Sequence, residues 1–244
     1  MAARVLGASM NLGLGLGLAE AIRRAVRPTP ATILANVAHW YRADQGITIA
    51  TGVSQWNDLI GTAHLIQSTG ANQPAYNATD AAYNGQATVQ STATNMFLVS
   101  GAAAMTQPCS VWVVGQINTI GRLIASLGTS GALAPSVFSQ TGNAAANAGT
   151  SLITATACTT KRAMLATFNG ASSFIAADNW LTAGTSGAAG AVNGTVVAAF
   201  AYSAGDFGGT GKIAEMIVQS GAPTAAEKAA MAAYFLDRYG ITVT

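Results

Sequence analysis

The carboxylates of this chain are few and widely separated along the sequence. The nine acidic residues are Glu20, Asp44, Asp58, Asp80, Asp178, Asp206, Glu215, Glu227 and Asp237, and no two lie within four positions of each other. Hydrolysis of a glycosidic bond needs two carboxylates across one sugar ring. Only acids distant in the chain could form that pair here, so a glycoside hydrolase is the least favoured hypothesis.

Residues for nucleophilic chemistry are equally sparse. The sequence contains no Gly-x-Ser-x-Gly elbow, and His39 and His64 are its two histidines. Two imidazoles leave few ways to place a general base beside a serine, and they cannot build a multi-histidine metal centre. We therefore predict no catalytic residues.

The two cysteines and the remaining polar turns indicate no metal site either. Cys109 and Cys158 can pair, lie free in the core or face apart, and free burial is favoured. Asp178, Asn179 or Asp206 could each contribute oxygen ligands to Ca²⁺, but none has an acidic neighbour in sequence. We predict no metal and no cofactor.

One turn combines an aromatic ring with polar side chains. Asp178, Asn179 and Trp180 precede a Thr-Ala-Gly stretch, and a sugar site needs such an aromatic platform beside amide or carboxylate groups. The alternative is that Trp180 plugs the edge of the fold while Asp178 and Asn179 form an Asx turn. Weaker candidates for the same platform are Tyr76, Tyr83 and Phe207.

These residues must be positioned by an all-β scaffold. From residue 37 the sequence alternates short apolar stretches with Gly-, Asn-, Thr- and Ser-rich turns, which is typical of strands without intervening helices. The predicted strands are 87–90, 96–99, 110–117, 122–126, 137–140, 152–156, 162–168, 173–176, 196–203 and 212–219. Ten short strands at this spacing indicate a single β-sandwich.

The C-terminus changes to helical periodicity. Thr224 and Glu227 have the spacing of a capping box. The side chains of the following helix that share one face are Met231, Tyr234, Phe235 and Tyr239, and Gly240 supplies a left-handed stop. The sequence therefore predicts a helix that packs one apolar face on the sandwich.

Residues 1–36 form a predicted N-terminal arm of different composition. Every second residue of one segment is leucine, namely Leu12, Leu14, Leu16 and Leu18, with glycine between them. This period of two suits an extended segment, and a short helix is predicted from Leu18 to Arg27. The arm is basic through Arg23, Arg24 and Arg27 among others. We expect it to dock on another subunit.

Overall charge and hydropathy restrict the classes of partner. The chain has 244 residues, of which 8% are charged and 50% hydrophobic, with a net charge of +2. This charge offers no broad basic surface for nucleic acid. No apolar run reaches the roughly 20 residues of a membrane span. We therefore expect neither nucleic acid nor membrane as a partner.

Several ordered motifs resemble a known family. They are Trp40-Tyr-Arg-Ala-Asp44, Gly52-Val-Ser-Gln-Trp56-Asn-Asp58, Cys109-Ser-Val-Trp-Val-Val114, Thr167-Phe-Asn-Gly170, Gly211-Lys-Ile-Ala-Glu215 and Tyr234-Phe-Leu-Asp-Arg-Tyr239. This layout resembles the laminin G-like, concanavalin A-like jelly-roll domains that are frequent in bacterial surface proteins and bacteriophage virion proteins. The resemblance covers residues 37–244. It implies two curved antiparallel sheets packed face to face, with the C-terminal helix capping an edge.

If the chain has this fold, we interpret the motif residues first as structural. Trp40 and Trp56 are large enough to anchor sheet packing. Asp58 suits a turn in which its carboxylate accepts local backbone N–H groups. Glu215 lies in an apolar strand, where it either faces solvent or accepts buried donors near Asp44. The Glu-x-Asp-x-x-Glu pattern of the glucan hydrolases in this superfamily is absent.

Two functions follow as hypotheses. The first is a non-enzymatic structural subunit of a phage virion, a capsid decoration or head/tail accessory protein that docks through its arm on other virion proteins or on copies of itself. It rests on the resemblance, the low charge and the arm. The alternative is a lectin-like module that binds surface glycans, such as those of a host. The two hypotheses are compatible with each other.

Overall fold

The computed structural model describes residues 27–128, 134–202 and 205–244. Two α-helices occur in these residues, α1 at Pro30–Ile33 and α2 at Ala225–Tyr239. Neither is long and apolar enough to span a membrane. The described residues also form seventeen strands: β1 Val37–Arg42, β2 Ile47–Ile49, β3 Val53–Trp56, β4 Leu65–Ile66, β5 Ala75–Asp80, β6 Gln86–Ser91, β7 Leu98–Met105, β8 Cys109–Ile117, β9 Leu123–Ser126, β10 Ser136–Gln140, β11 Asn143–Asn147, β12 Ser151–Ala157, β13 Arg162–Phe168, β14 Ser173–Ala177, β15 Thr185–Gly187, β16 Gly194–Ala199 and β17 Gly211–Ser220.

The strands form two antiparallel sheets. The first sheet has eight strands in the order β15-β14-β13-β8-β17-β6-β5, with β1 also paired to β17. The second has nine strands in the order β12-β11-β10-β9-β16-β7-β4-β3-β2. The predicted all-β sandwich of two antiparallel sheets with a C-terminal helix is confirmed.

The main core lies between the sheets. Every second side chain of each strand points into it, so the two inner faces pack together there. Val111, Val113 and Met216 face it from the first sheet, and Val137 and Val197 from the second. Cys109 and Cys158 belong to this core as free thiols. Burial raises the pKa of Cys109 to about 12, so its thiol stays protonated and unreactive.

A second core makes the first sheet apolar on both faces. Trp112, Leu165 and Ile217 point away from the main core and pack against Met231 and Phe235 of α2. The predicted helix is confirmed in detail, since Thr224 and Glu227 form the capping box and Gly240 adopts the left-handed conformation at its end. The layers are therefore helix, eight-stranded sheet and nine-stranded sheet.

Seven strands were missed and the ends of two were misplaced: the strand predicted over 96–99 is β7, which continues to Met105, and the strand predicted over 196–203 ends early. The missed strands are β1 to β5, β11 and β15. Most are too short for a periodic signal, and β11 reads Asn-Ala-Ala-Ala-Asn, which has low strand propensity. The strand predicted over 196–203 ends at Ala199, because Phe200 has a positive φ of 69° that breaks the extended backbone.

The described part of the predicted arm is packed on the sandwich. Leu34 is buried in the second core, and the backbone N–H of Ala35 donates to Glu227 at 2.6 Å. Arg27 pairs with Asp237 of α2 at 2.9 Å. The boundary that we predicted at residue 36 therefore falls inside packed chain. Leu12, Leu14, Leu16, Leu18, Arg23 and Arg24 lie outside the described residues, as does almost all of the helix predicted over 18–27.

Candidate functional site

Trp180 does not form an exposed platform. Its side chain is 4% exposed and meets Trp112 edge-to-face, with ring centroids 5.5 Å apart. Phe235 of α2 packs on it at 6.0 Å, and the indole Nε1 donates to the carbonyl of Lys228. The prediction of a glycan platform at Trp180 is wrong, because helix α2 covers the ring.

The neighbours of Trp180 also serve the fold. The Asp178 carboxylate accepts hydrogen bonds from Arg162 at 2.9 Å and from the Ala163 backbone N–H at 2.7 Å. Burial raises the pKa of Asp178, although these two hydrogen bonds act in the opposite direction. Asn179 accepts from the backbone of Ala177. With their polar groups engaged in the strand ends, neither residue presents a sugar-binding group beside an open ring.

The weaker aromatic candidates differ in their position. Tyr83 is fully buried and Tyr76 packs against the main core. Phe207 is 48% exposed, and its ring stands at the mouth of a cavity on the face of the nine-stranded sheet that points away from the main core. Phe207 is therefore the one of these three whose ring is open to a ligand.

This cavity, which we call the aromatic cleft, has a volume of about 120 Å³. Its lining residues are Gly121, Ser136, Phe138, Asn147, Ser151, Tyr202 and Phe207. Three of these are aromatic and three carry neutral polar side chains. This mixture of apolar walls and a few polar groups is typical of small-molecule sites.

Strand pairing places the floor of the cleft. Ser136 on β10 is opposite Asn147 on β11, which in turn is opposite Ser151 on β12. The alternate residues Val137 and Ala146 face the main core. Because side chains of a strand alternate between faces, the three polar side chains form one row on the outer face of the sheet.

The walls of the cleft come from one loop and from β10. Tyr202 and Phe207 meet edge-to-face with ring centroids 5.9 Å apart and planes at 88°. Phe138 packs beside Tyr202 in a small cluster separate from the two cores. Phe207 has a φ of 56°, a left-handed conformation that costs a non-glycine residue on the order of 1 kcal/mol. The surrounding structure thus holds a strained backbone and a half-exposed ring at this mouth.

A glycine anchors that loop. A side-chain carbon at Gly208 would lie 1.7 Å from the carbonyl oxygen of Thr94, so the backbone approaches too closely for any other residue. Arg122 stacks on the ring of Phe207 with its guanidinium carbon 6.0 Å from the centroid. These contacts fix the position of Phe207 relative to the floor.

The hydrogen-bonding groups of the cleft are uncharged. Burial raises the pKa of Tyr202, so its hydroxyl remains a donor; the nearby Ser136 hydroxyl has a smaller opposite effect. Ser136 Oγ is buried, lies near Tyr202, and has no partner of regular hydrogen-bond geometry among the described residues. The Asn147 amide donates to Ser151 and accepts from Gly149, which orients it toward the row. The cleft can hold a ligand that stacks on rings and exchanges neutral hydrogen bonds.

The acidic residues are engaged elsewhere. Glu215 is fully buried and accepts from Trp40 at 2.5 Å, Tyr234 at 3.0 Å and Tyr239 at 2.9 Å. Of the two alternatives open for Glu215, the structure therefore shows the buried one. Asp44 bridges Arg42 and Arg238.

Asp58 has the structural role predicted for it. Its carboxylate accepts from the backbone N–H of Trp40 and Ile60 and pairs with His39 at 2.7 Å. Within the described ranges no group of three His, Cys, Asp or Glu side chains is arranged to hold a metal ion.

Most of the cleft was not visible in the sequence. Phe207 was a weak candidate from its sequence context, whereas the six other lining residues carried no local signal of a site. Ser136 and Asn147 come together through the pairing of the consecutive strands β10 and β11, and Tyr202 reaches them from the loop after β16. The usable local signal was a Gly-Asp-Phe-Gly-Gly turn, which places an aromatic residue between glycines at 205–209.

Solved structures with similar folds come from carbohydrate-active enzymes. Trypanosoma rangeli sialidase in complex with sialic acid superposes with a TM-score of 0.56 at 10% identity, over 96% of this chain and 40% of that chain. A GH54 α-L-arabinofuranosidase soaked with a cyclic sulfate inhibitor gives 0.54 at 11% identity, over 84% of this chain and 60% of that chain. Domain 4 of AbnA, a GH43 extracellular arabinanase from Geobacillus stearothermophilus in complex with arabinotriose, gives 0.54 at 11% identity, over 79% of this chain and 96% of that domain.

These similarities show the β-sandwich fold. The chain spans about two-fifths of the length of the sialidase chain it resembles. No protein-family model matches the sequence. No curated protein matches it at a significant level either.

Proposed function

We propose that this protein is a non-catalytic carbohydrate-binding β-sandwich whose ligand enters the aromatic cleft. The observation that carries the proposal is the combination of a half-exposed, strained Phe207 with the row Ser136, Asn147 and Ser151 beneath it. A sugar ring has apolar C–H faces and an equatorial rim of hydroxyl groups. It matches a site with aromatic walls and a neutral polar floor.

The similar folds support this class of ligand. The sialidase structure holds sialic acid and the arabinanase domain holds arabinotriose. The second of these is a single domain comparable in extent to the present chain. A small sandwich of this kind can therefore present a sugar-binding surface without further domains.

The positions of the acidic side chains favour sugar binding over glycoside hydrolysis. Most glycoside hydrolase families use two carboxyl groups about 5 to 10 Å apart on either side of the bond, with exceptions such as the tyrosine nucleophile of sialidases. No acidic side chain lines the cleft among the described residues. Glu215, Asp58 and Asp178 are engaged with donors of the fold. We therefore place glycoside hydrolysis below binding.

The test is binding to an immobilised glycan panel, followed by calorimetry with each ligand found. Phe207→Ala should weaken binding by about ten-fold or more, because stacked aromatic contacts contribute on the order of 1–2 kcal/mol. Leu236→Ala is the matched control, since Leu236 is 51% exposed but lies on helix α2 against the other sheet. Equal binding by the two variants would refute a role for the cleft, and no binding by the intact chain would refute the function.

We further propose that the chain is a subunit of a phage virion that docks through its N-terminal residues. The support is the resemblance of residues 37–244 and the very low charge of 8%. A glycan-binding decoration subunit would combine both proposals. Light scattering on the full chain and on a version lacking residues 1–26 tests it: we expect an oligomer that becomes a folded monomer. An unchanged mass would count against docking between copies.

A further inference from the structure

We propose that the aromatic cleft accepts the uncharged end unit of a sugar chain rather than an internal segment or an acidic sugar. The inference rests on the proposed function and specifies its ligand class. Two independent features carry it, namely the closure of the cleft at one side and the absence of charge from its lining.

Exposure along the floor shows that the cleft is closed toward the middle of the sheet. The floor row continues from Ser136 to Ser126 on β9 and then to Ala198 on β16. Ser126 and Ser136 are each 1% exposed and Ala198 is 0% exposed. The outer face of the sheet is therefore covered on this side, and a sugar chain cannot continue across it.

The opposite side of the row is open. Asn147 is 8% exposed, and Ser151 on the edge strand β12 is exposed to solvent. Solvent access thus increases stepwise from β9 to β12, in the direction away from the sheet centre. A ligand can enter from the β12 edge, and the rest of its chain must leave by the same side.

The volume of the aromatic cleft fits a single sugar unit. The cleft holds about 120 Å³, whereas pockets that enclose drug-sized ligands are roughly 300–1,000 Å³. There is room for about one ring between the aromatic walls. Additional units of an oligosaccharide would lie outside these walls and gain little contact.

The uncharged lining of the cleft disfavours a charged ligand. Gly121, Phe138 and the floor side chains carry no formal charge, and burial keeps the Tyr202 hydroxyl protonated. At the rim, Arg122 is the nearest cation, and its guanidinium is stacked on the ring of Phe207 outside the lining. A carboxylate in the cleft would lose its hydration without a cationic side chain in the lining to pair with it.

The unpartnered hydroxyl of Ser136 supplies a specific contact for this end unit. Ser136 Oγ is buried, faces the cleft and lies near the Tyr202 hydroxyl, without a partner of regular hydrogen-bond geometry among the described residues. A buried polar group without a partner is costly, and a sugar hydroxyl would satisfy it. Ser139 on the same strand also has a buried hydroxyl without a partner of regular geometry, but it lies near the Cys158 thiol and does not line the cleft. A comparison of variants at Ser136 and Ser139 therefore distinguishes a residue that contacts the ligand from one that serves only the fold.

The experiment is calorimetry of the full chain with matched sugars. The probes are L-arabinose with arabinotriose, D-glucose with cellotetraose, D-galactose with galactotetraose, and the acids D-glucuronate and D-galacturonate. For the sugar that binds, we expect the single unit and its oligomer to have dissociation constants within about three-fold, and the acid to bind at least about ten-fold more weakly. Ser136→Ala should weaken binding by about five-fold or more, whereas Ser139→Ala should leave it unchanged.

The outcomes separate the inference from the function beneath it. Affinity that rises ten-fold or more with chain length, yet is lost in Phe207→Ala, would keep the sugar-binding function and overturn the end-unit assignment. Acid binding as tight as that of the neutral sugar would overturn the selection against charge. If neither these probes nor any glycan of the panel binds, the proposed function fails and the inference falls with it.

Discussion

Trp40 donates its indole N–H to the carboxylate of Glu215 at 2.5 Å, across a separation of 175 residues in the chain. The same carboxylate accepts from the hydroxyls of Tyr234 and Tyr239 on helix α2. One fully buried acid thus joins β1, β17 and α2. Burial raises the pKa of Glu215, and the three donors act against that rise.

Removal of this carboxylate should destabilise the protein strongly. Glu215→Ala leaves an indole N–H and two hydroxyls buried without their acceptor, in addition to a cavity. We expect a loss of about 3–5 kcal/mol in the free energy of unfolding, measured by urea denaturation. Glu215→Gln is the control that preserves volume and one acceptor oxygen, and it should lose less. A loss in Glu215→Gln as large as that in Glu215→Ala would contradict the stabilisation expected from the retained volume and acceptor oxygen.

Asp58 should give the protein an acid-sensitive stability. Burial alone would raise the pKa of this carboxyl, but hydrogen bonds from His39 and from the backbone of Trp40, Gly61 and Ile60 lower it to about 2. Its stabilisation is present above the unfolded value of 3.8 and is lost as the pH falls toward 2.

The corresponding variant is Asp58→Asn. At pH 7 its free energy of unfolding should be about 2 kcal/mol lower than that of the parent chain. This difference should shrink as the pH falls from 4 to 2. Urea titrations at several pH values measure this difference. A gap that is constant with pH would mean that the charge of Asp58 is not what stabilises the fold.

Trp180→Ala should affect folding rather than ligand binding. The ring is packed between Trp112 and Phe235, so its loss leaves a cavity beneath α2 and should cost about 3–5 kcal/mol. The fraction of protein that remains folded should bind sugar as the parent does, because the cleft lies on the other sheet. Binding titrations corrected for the folded fraction provide the measurement. A loss of affinity in the folded protein would show that Trp180 contributes to the binding site.

Gly208→Ala should reproduce the binding defect of Phe207→Ala. The new methyl group would meet the Thr94 carbonyl at 1.7 Å, so the loop that carries Phe207 must shift. We expect a loss of affinity of about ten-fold, measured on the folded fraction, together with a clear loss of stability because the clash is with backbone. The control is Gly101→Ala, since nothing lies within 4 Å of a side-chain carbon at Gly101. Unchanged affinity in Gly208→Ala would show that the loop position is not needed.

The architecture could be predicted because its signals are local. Thr224 and Glu227 satisfy each other within one turn, and Gly240 ends the same helix, so the limits of α2 follow from neighbouring residues. Long apolar strands such as β8 and β13 were equally clear. Short strands such as β4 and the alanine-rich β11 form because partners on both sides supply their hydrogen bonds, and a local pattern does not contain those partners.

The burial of Trp180 shows the same limit at a candidate site. Its turn carries an aromatic ring beside Asp178 and Asn179, which is a valid local pattern for a sugar platform. Whether that ring is open depends on helix α2, which begins 45 residues later at Ala225 and lies across it. Exposure is a property of the packed chain, since the element that covers a side chain can come from anywhere in the sequence.

By itself, therefore, the sequence determined a two-sheet sandwich with a capped C-terminal helix, because strand alternation and helix capping act between residues near in the chain. Only the tertiary structure decided where a ligand can bind. Antiparallel pairing brings Ser136, Asn147 and Ser151 into one row, and a tight turn at Gly208 sets Phe207 over them. Tyr202 and Phe207 come to this row from a loop far along the chain, and their contacts with it form only when the sheet pairs and the loops pack on it.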